Sequence, residues 1–183
     1  NLNTSLSDHI FSLNKDSFYG EIFEKKEYNQ NIAINQKIFN NKSILITGGA
    51  GTIGNAILKQ VSKFNVNKIY VIDNSEYGIY KLNENFLNNA KVSNILGSIS
   101  DENFLEDFFS NNKVDIIFHA AAFKHVSIVE QNPVSSLGNN IVATENILKL
   151  FIKKNIEKFV LISSDKAVDP VNLMGTTKRM CEL

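Results

Sequence analysis

The chain lacks the features that define several classes of protein. Its 183 residues include one cysteine, Cys181, which excludes an internal disulfide and a cysteine-based metal cluster and favours a reducing compartment. Lysine plus arginine and aspartate plus glutamate number 19 each, so the formal net charge is zero. Because no charge of one sign dominates, we expect neither nucleic acid nor an anionic membrane surface as a partner.

Long apolar runs are also missing. No stretch approaches the roughly 20 residues that a membrane-spanning helix needs, and no basic segment followed by an apolar one opens the chain, as in a signal peptide. We therefore expect a soluble domain without membrane contact within these residues. The first residue is Asn1, and Leu183 falls inside an expected helix, so we expect that both ends are cut from a longer protein.

The chain divides into two parts by its sequence pattern. Residues 1–42 are polar and rich in asparagine, with no sustained period of 2 or 3.6, which predicts an irregular arm or linker. From residue 43 to residue 183, β-branched runs alternate with helical stretches, which predicts an α/β fold with a doubly wound parallel sheet of the Rossmann type. The predicted strands are residues 44–47, 68–72, 93–96, 114–119 and 158–163. The predicted helices are residues 51–64, 75–88, 101–110, 133–154 and 173–183.

A glycine-rich loop directly follows the first predicted strand and opens the next helix. Gly48 allows a tight turn, Gly51 lets the backbone approach a pyrophosphate, and Gly54 permits close packing of the helix on the strand. The helix N-terminus at Thr52 and Ile53 supplies N–H groups and the positive end of the helix dipole. This order of strand, loop and helix predicts a phosphate cradle for a dinucleotide.

An acidic residue, Asp73, ends the second predicted strand about 20 residues after the loop, where the ribose-binding acid of such folds is expected. A carboxylate there accepts hydrogen bonds from the ribose 2′-hydroxyl and repels a 2′-phosphate. The sequence therefore predicts NAD as the cofactor in preference to NADP. The alternative is an ordinary strand-end aspartate that caps the helix at Ser75.

The spacing of the glycines resembles that of the extended short-chain dehydrogenase/reductase superfamily. Later segments narrow the resemblance to nucleotide-sugar 4,6-dehydratases of the UDP-N-acetylglucosamine type, and it covers about residues 43–183. The residues that carry it are the run HAAAFKHV at 119–126 with Glu130, Asn132, Pro133 and Asn140, the run SSDKAV at 163–168, Pro170, and the run NLMGTTKR at 172–179. This resemblance implies a Rossmann domain that stops before the C-terminal region that binds the substrate.

Some positions depart from the usual pattern of the superfamily. Most extended members carry Tyr-x-x-x-Lys, whereas this chain has Met174 and Lys178 at those positions. The methionine is typical of the large, membrane-anchored dehydratases and supports that subgroup. Ser98 follows Gly97 where an aspartate often meets adenine, and Ser164 stands where many members have threonine.

The resemblance also implies a reaction and roles for residues in it. A 4,6-dehydratase moves a hydride from sugar carbon 4 to NAD, eliminates water across carbons 5 and 6, and returns the hydride to carbon 6. By analogy, Asp165 donates a proton to the 6-hydroxyl, Lys166 takes the proton of carbon 5, and Ser164 hydrogen-bonds the carbon-4 oxygen. Lys178 is assigned to the nicotinamide ribose. For these roles Lys166 must be neutral, and Asp165 must hold its proton longer than a free carboxyl does.

Two questions about this segment stay open. Met174 cannot take the proton of the carbon-4 hydroxyl, which leaves Asp165, Lys166 or a water chain through Ser164. A solvated turn pair is the plain structural alternative for Asp165 and Lys166.

Further contacts follow from the same match. The remaining cofactor contacts are assigned to Ser98, Ile99, Ala120, Ala121, Ala122 and Asn140. Lys124 and His125 have two possible roles. Either they contact substrate or cofactor, or Lys124 is a solvated loop lysine and His125 is a packed histidine. We expect His119, at the end of the fourth strand, to line the cofactor pocket and not to titrate in catalysis. No metal site is expected.

Three functions remain in competition. The first is a UDP-N-acetylhexosamine 4,6-dehydratase, with UDP-N-acetylglucosamine as the expected substrate, in surface polysaccharide or glycan synthesis. The second is a nucleotide-sugar 4-epimerase, which usually keeps the tyrosine. The third is an NAD-binding and oligomerising module, inactive alone because the part that grips the nucleotide sugar lies beyond Leu183.

The resemblance also implies a homo-oligomer, a membrane anchor upstream of Asn1, and a place at the cytoplasmic face of the inner membrane.

Overall fold

A computed structural model describes the chain from Ile32 to Leu183. Five strands form one parallel sheet in the order β3-β2-β1-β4-β5. The strands are β1 (Ser43–Thr47), β2 (Lys68–Asp73), β3 (Val92–Leu96), β4 (Ile116–His119) and β5 (Lys158–Leu161). The chain runs from the centre to one edge and then returns to build the other side, so the order reverses next to β1. The predicted Rossmann-type α/β fold is confirmed.

Helices connect the strands as the alternation predicts. They are α1 (Ile32–Phe39), α2 (Thr52–Val61), α3 (Glu76–Asn85), α4 (Glu102–Asn111), α5 (Val126–Gln131), α6 (Pro133–Leu137), α7 (Ala143–Lys153) and α8 (Leu173–Glu182). A π-helical turn, Gly138–Val142, joins α6 to α7, and a 3₁₀ turn, Asp165–Ala167, follows β5. Within residues 32–183, no helix combines the length and apolar character that a membrane crossing requires.

The central strand explains why the sheet forms. All five residues of β1 are buried, because helices cover both faces of a parallel sheet. Neighbouring residues of a strand point to opposite faces, so Leu45 belongs to one apolar cluster while Ile44 and Ile46 belong to the other. Each fully buried aliphatic side chain of this kind contributes about 1.5–3 kcal/mol relative to an exposed one. The two clusters hold the strand ends, and therefore the loops that follow them, in fixed positions.

The N-terminal segment differs from its prediction where the structure describes it. Residues 32–39 form α1, and its last residues, Ile38 and Phe39, pack against the apolar cluster beneath β1. The ring of Phe39 lies 5.3 Å from that of Phe64 and 6.2 Å from that of Phe118, measured between centroids. The prediction of an irregular arm is therefore wrong for residues 32–39, and residues 1–31 lie outside the described part.

Other element boundaries also differ from the prediction. The strands predicted at 114–119 and 158–163 are shorter, since β4 begins at Ile116 and β5 ends at Leu161. Helix α5 was not predicted from the sequence. The single helix predicted over 133–154 is interrupted by the π-helical turn, which widens the helix by one residue per turn and redirects the side chains that it carries.

Candidate active site

A cleft of about 450 Å³ opens at the carboxyl ends of strands β1 to β4. It lies beside the point where the strand order reverses, which is where open α/β sheets bind ligands. Its walls are the glycine loop, the start of α3, and the segments that follow β3 and β4. Lining residues with a predicted cofactor or substrate role are Gly48, Gly51, Thr52, Ile53, Gly54, Asp73, Ser98, Ile99, Ala120, Ala121, Ala122 and Lys124.

The glycine loop needs glycine at two positions for geometric reasons. Gly48 has a φ of +68°, in the left-handed region, and a Cβ there would lie 2.6 Å from the backbone of Ala121. A Cβ on Gly54 would lie 2.7 Å from the Cα of Gly49 and would also contact the Gly48 carbonyl. The loop therefore packs directly on the segment after β4, and α2 directly on the loop.

The start of α2 offers free backbone donors to the cleft. Gly51 is the N-cap residue and has no side chain that accepts a hydrogen bond, and the first turn contains no acidic residue. The first N–H groups of a helix lack partners within the helix and carry the positive end of its dipole. The N–H groups of Thr52 and Ile53 are thus available for an anion such as a pyrophosphate.

Asp73 is held at the mouth of the cleft by two backbone hydrogen bonds. The amide of Ala50 donates to Oδ2 at 2.9 Å, and the amide of Ser75 donates to Oδ1 at 2.9 Å. Ser75 itself caps α3, because its Oγ accepts a hydrogen bond from Gly78 N at 3.1 Å. The carboxylate therefore joins the loop to α3 and still has lone pairs for a ligand hydroxyl.

One wall of the cleft was not predicted from the sequence. Side chains of α3 line it at helical spacing, among them Tyr77 and Lys81. The Lys81 ammonium lies 3.1 Å from Glu84 Oε2 and 5.8 Å from the centroid of the Tyr77 ring. The available signal for this wall was the spacing of four residues between Tyr77 and Lys81 in the helix that Ser75 caps.

His119 does not line the cleft, so that prediction is wrong. Its side chain is fully buried, with Nδ1 at 2.7 Å from Thr47 Oγ1 and Nε2 at 2.9 Å from Thr144 Oγ1. Burial, together with the nearby charge of Lys178, lowers the pKa of His119 to about 3. The imidazole is therefore neutral at physiological pH, as the expectation that it does not titrate in catalysis requires.

Asn140 is also placed differently from the prediction of a cofactor contact. It is buried in the π-helical turn, where Oδ1 accepts from Phe123 N at 2.7 Å and Nδ2 donates to Phe123 O at 3.0 Å. The same Nδ2 donates to Thr177 Oγ1 on α8 at 3.0 Å. Its amide is occupied by these bonds, so Asn140 positions the Phe123 segment and α8 and does not line the cleft.

The residues assigned to proton transfer lie beyond the cleft, after the edge strand β5. Ser164 caps the 3₁₀ turn and donates from Oγ to Asp165 Oδ1 at 3.0 Å. Lys166 Nζ lies 3.4 Å from the same oxygen. Hydrogen bonds from Ser164 and Lys166 lower the pKa of Asp165 below its usual value. The expected environment, which holds the Asp165 proton longer, is absent here because 88% of that side chain is exposed.

Helix α8 presents two further predicted residues. Met174 and Lys178 are both buried and lie one turn apart. Lys178 donates from Nζ to the carbonyl of Ile162 at 2.9 Å, and burial lowers its pKa. Glu130 of α5 accepts a hydrogen bond from Leu173 N at 2.6 Å and so anchors the start of α8.

The remaining predicted residues divide between the cleft and its surroundings. Lys124 lines the cleft, whereas His125 is the exposed N-cap residue of α5 and does not. Ser98 Oγ lies 2.7 Å from Ser100 Oγ. Among residues 32–183, no group of three or more His, Cys, Asp or Glu side chains is placed to hold a metal ion.

Several known proteins are similar in sequence to this chain. The capsular polysaccharide biosynthesis protein CapD of Staphylococcus aureus is 36% identical over 156 residues, which cover 83% of this chain and 26% of that protein. A UDP-glucose 4-epimerase of Rickettsia prowazekii is 34% identical over 152 residues, with coverages of 79% and 43%. The UDP-N-acetylglucosamine 4,6-dehydratase (inverting) of Campylobacter jejuni is 34% identical over 142 residues, with coverages of 77% and 42%.

Solved structures show the same fold. Pen from Bacillus thuringiensis has a TM-score of 0.74 and 36% identity, covering 79% of this chain and 45% of that one. The UDP-glucose 4-epimerase of Bifidobacterium longum, solved with NAD+ and UDP, has a TM-score of 0.65 and 24% identity, covering 76% of this chain and 47% of that one.

The chain spans between 26% and 43% of the length of these three curated relatives. The model of a family described as polysaccharide biosynthesis protein matches residues 44–183, which include the whole sheet except Ser43, the first residue of β1, and the whole candidate site. The chain therefore belongs to the polysaccharide biosynthesis protein family.

Proposed function

We propose that this chain carries the NAD-binding and proton-transfer part of a UDP-N-acetylhexosamine 4,6-dehydratase, with UDP-N-acetylglucosamine as substrate. The observation that carries the proposal is the buried Met174, one helical turn before Lys178, combined with the acid and lysine pair that follows β5. A thioether has no proton to exchange, so the chemistry at the sugar depends on Asp165 and Lys166. The relatives include a UDP-glucose 4-epimerase and a UDP-N-acetylglucosamine 4,6-dehydratase, which supports an enzyme that acts on nucleotide sugars.

The geometry of the cleft supports NAD as the proposed cofactor. The turn at Gly48 and the free N–H groups at the start of α2 suit a pyrophosphate, and the fixed carboxylate of Asp73 suits the hydroxyls of a ribose. When bound, NAD would supply a hydride acceptor for carbon 4 and a hydride donor for carbon 6. The B. longum epimerase, whose structure contains NAD+, shares this fold.

Asp165 and Lys166 are suited to the elimination of water. Lys166 Nζ takes the proton from carbon 5, the bond between carbon 6 and its oxygen breaks, and the hydroxyl leaves as water with the proton of Asp165. Lys166 then has a proton in excess and Asp165 lacks one. Once carbon 6 is reduced, Lys166 returns its proton to carbon 5, and the proton that the carbon-4 hydroxyl lost on oxidation replaces the one that Asp165 gave to the leaving water. The 3.4 Å between Nζ and Oδ1 allows Lys166 to pass that proton to Asp165, which restores both groups for the next turnover.

This role requires a change around Asp165. Its carboxyl is exposed and its pKa is lowered, so at neutral pH it holds no proton in the described chain. We propose that the nucleotide sugar, gripped by sequence outside this chain, covers the pair and raises that pKa through loss of water. The coverage of under half of the relatives' length supports this dependence on further sequence.

A nucleotide-sugar 4-epimerase is the second candidate, because an epimerase and a dehydratase match this chain at the same 34% identity. An epimerase that follows the usual pattern needs a tyrosine at the position of Met174. We therefore rank the dehydratase first.

The deciding experiment incubates the full-length protein with UDP-N-acetylglucosamine and NAD and measures the product by mass spectrometry. A dehydratase gives a product lighter by one water, and the NAD is recovered oxidised. A product of unchanged mass with an altered configuration at carbon 4 would establish the epimerase and refute the dehydratase. A homo-oligomer at the cytoplasmic face of a membrane remains part of the proposal and is tested separately by sedimentation and fractionation.

A further inference from the structure

The α3 wall of the cleft carries a positive charge that the proposed function does not use. Tyr77, Gly78, Lys81 and Leu82 all line the cleft, at the spacing of one helix face. A Cβ on Gly78 would lie 2.5 Å from the Cβ of Ala50, so α3 packs closely against the glycine loop. This close packing places Lys81 on the same cleft as Asp73.

The Lys81 ammonium is positioned by its neighbours. It lies 3.1 Å from Glu84 Oε2 and within 5.6 Å of the Tyr80 ring centroid, and Tyr80 Oη donates to the other oxygen of Glu84 at 2.9 Å. Half of the lysine side chain remains exposed. An exposed ion pair of this kind stabilises the protein by only about 0–1 kcal/mol. A ligand of higher charge can therefore replace Glu84 as the partner of the Lys81 ammonium.

The charges that line the cleft are few and opposed. Among the described residues that line it, Asp73 is the only carboxylate, and Lys81 and Lys124 are the only cations. Lys124 belongs to the segment after β4, whereas Lys81 belongs to the helix that follows Asp73 and is coupled to it through Ser75. The charges on the side of the cleft formed by β2 and α3 are therefore one acid and one base.

We infer that Lys81 is a specificity-determining residue that accepts the 2′-phosphate of NADP, and that the chain prefers NAD only because Asp73 opposes it. The inference rests on the proposed dinucleotide cleft. A 2′-phosphate carries up to two negative charges and binds well to a lysine or arginine that follows β2. With the carboxylate in place, repulsion outweighs this attraction. Without the carboxylate, Lys81 gives the same cleft a higher affinity for NADP than for NAD.

The test titrates NAD and NADP separately into the full chain and its variants by isothermal titration calorimetry. Asp73→Asn removes the charge and keeps an oxygen that can accept a backbone hydrogen bond, and Asp73→Ser is a second version in case one variant folds poorly. In either background we expect the affinity for NADP to exceed that for NAD. Adding Lys81→Ala should then lower the NADP affinity about tenfold relative to the NAD affinity.

Two matched variants sharpen the result. Glu84→Gln releases Lys81 from its partner and should raise NADP affinity in the Asp73→Asn background. Lys149→Ala removes an exposed helix lysine that pairs with Glu145 and does not line the cleft, so it should leave the ratio of the two affinities unchanged. If Lys81→Ala alters both affinities equally, the inference is overturned while the cleft stands. If the wild-type chain binds neither dinucleotide, the proposed cofactor site fails as well.

Discussion

The cleft at the ends of β1 to β4 and the segment 163–168 after β5 are built in opposite ways. In the cleft, Gly48 packs on the Ala121 backbone and Asp73 is fixed by two amide donors. After β5, the acid and lysine assigned to proton transfer are 88% and 49% exposed, and their partners are one another and Ser164. The proposed cofactor binding would therefore depend on contacts within the chain, whereas the proposed proton transfer would depend on surroundings that the described residues do not provide.

Because of this difference, we expect substitutions in the two regions to change different properties of the protein. Changes in the cleft should alter folding and dinucleotide affinity together, because the same backbone contacts serve both. Changes after β5 should alter turnover with little effect on folding, because exposed side chains contribute little to stability.

The largest effect is expected from Asp165→Asn in the full-length protein. The amide cannot give a proton to the leaving hydroxyl, so dehydration should fall by about 10²–10⁴-fold, the range for one general acid. Mass spectrometry of the sugar product measures the loss, and calorimetry with NAD on the same sample measures the cleft. Lys166→Ala is the companion variant. Near-normal dehydration in either variant would remove that residue from the mechanism.

A smaller effect is expected within the cleft from Gly54→Ala. The new methyl group would overlap the Gly48 carbonyl and the Gly49 Cα, which should cost about 1–3 kcal/mol of unfolding free energy and weaken NAD binding. The matched control is Gly138→Ala, since a Cβ at Gly138 meets no atom within 4 Å and its φ of −57° suits alanine. That variant should gain about 0.4–1 kcal/mol. Urea unfolding of the two variants measures their free energies of unfolding. Equal values for the two variants would contradict the close packing of α2 on the glycine loop.

A third effect, within the range given for Gly54→Ala, tests the buried contacts of His119 with Thr47 and Thr144. The folded pKa is about 3 and the ordinary value is 6.5, so the folded chain binds this proton at a much lower pH than the unfolded chain does. The stabilisation is complete above pH 6.5 and is lost progressively as pH falls towards 3. From pH 7 to pH 5 the loss should be about 2 kcal/mol.

Urea unfolding at those two pH values measures the loss, and His119→Gln is the control. Glutamine can still meet the hydroxyls of Thr47 and Thr144 but does not titrate in this range. Its unfolding free energy should vary less between the two pH values. A parallel pH dependence in both proteins would mean that His119 is not the group responsible.

Much of the fold was predictable because its signals are local. The β-branched runs and the glycine loop predict strands, a turn and a helix start, and the positions of β1, β2, β3 and α2 agree with the structure to within a few residues. The helix α1 was not predictable, since its two apolar residues next to the described core are too few to show a period. The short α5 was missed because six residues cannot establish helical periodicity.

The site was less predictable than the fold because its members are selected by packing. Nothing in the composition near Asn140 marks a π-helical turn, and that turn buries the amide that the resemblance assigned to the cofactor. His119 ends a strand, as expected, yet its side chain points between Thr47 and Thr144 and not into the cleft. Lys81 lines the cleft because Gly78 allows α3 to pack closely on the glycine loop. No local sequence pattern predicts this approach.

The bonds that Asn140 makes also have a dynamic consequence. Its oxygen accepts the Phe123 amide hydrogen, while its nitrogen binds both the Phe123 carbonyl and the Thr177 hydroxyl of the helix that carries Lys178. Exchange of that amide hydrogen with solvent therefore requires the Asn140 oxygen to release it, and this release loosens the link between the rim of the cleft and α8. We therefore expect the deuterium exchange rate of the Phe123 amide to report how often this link between the cleft rim and α8 opens.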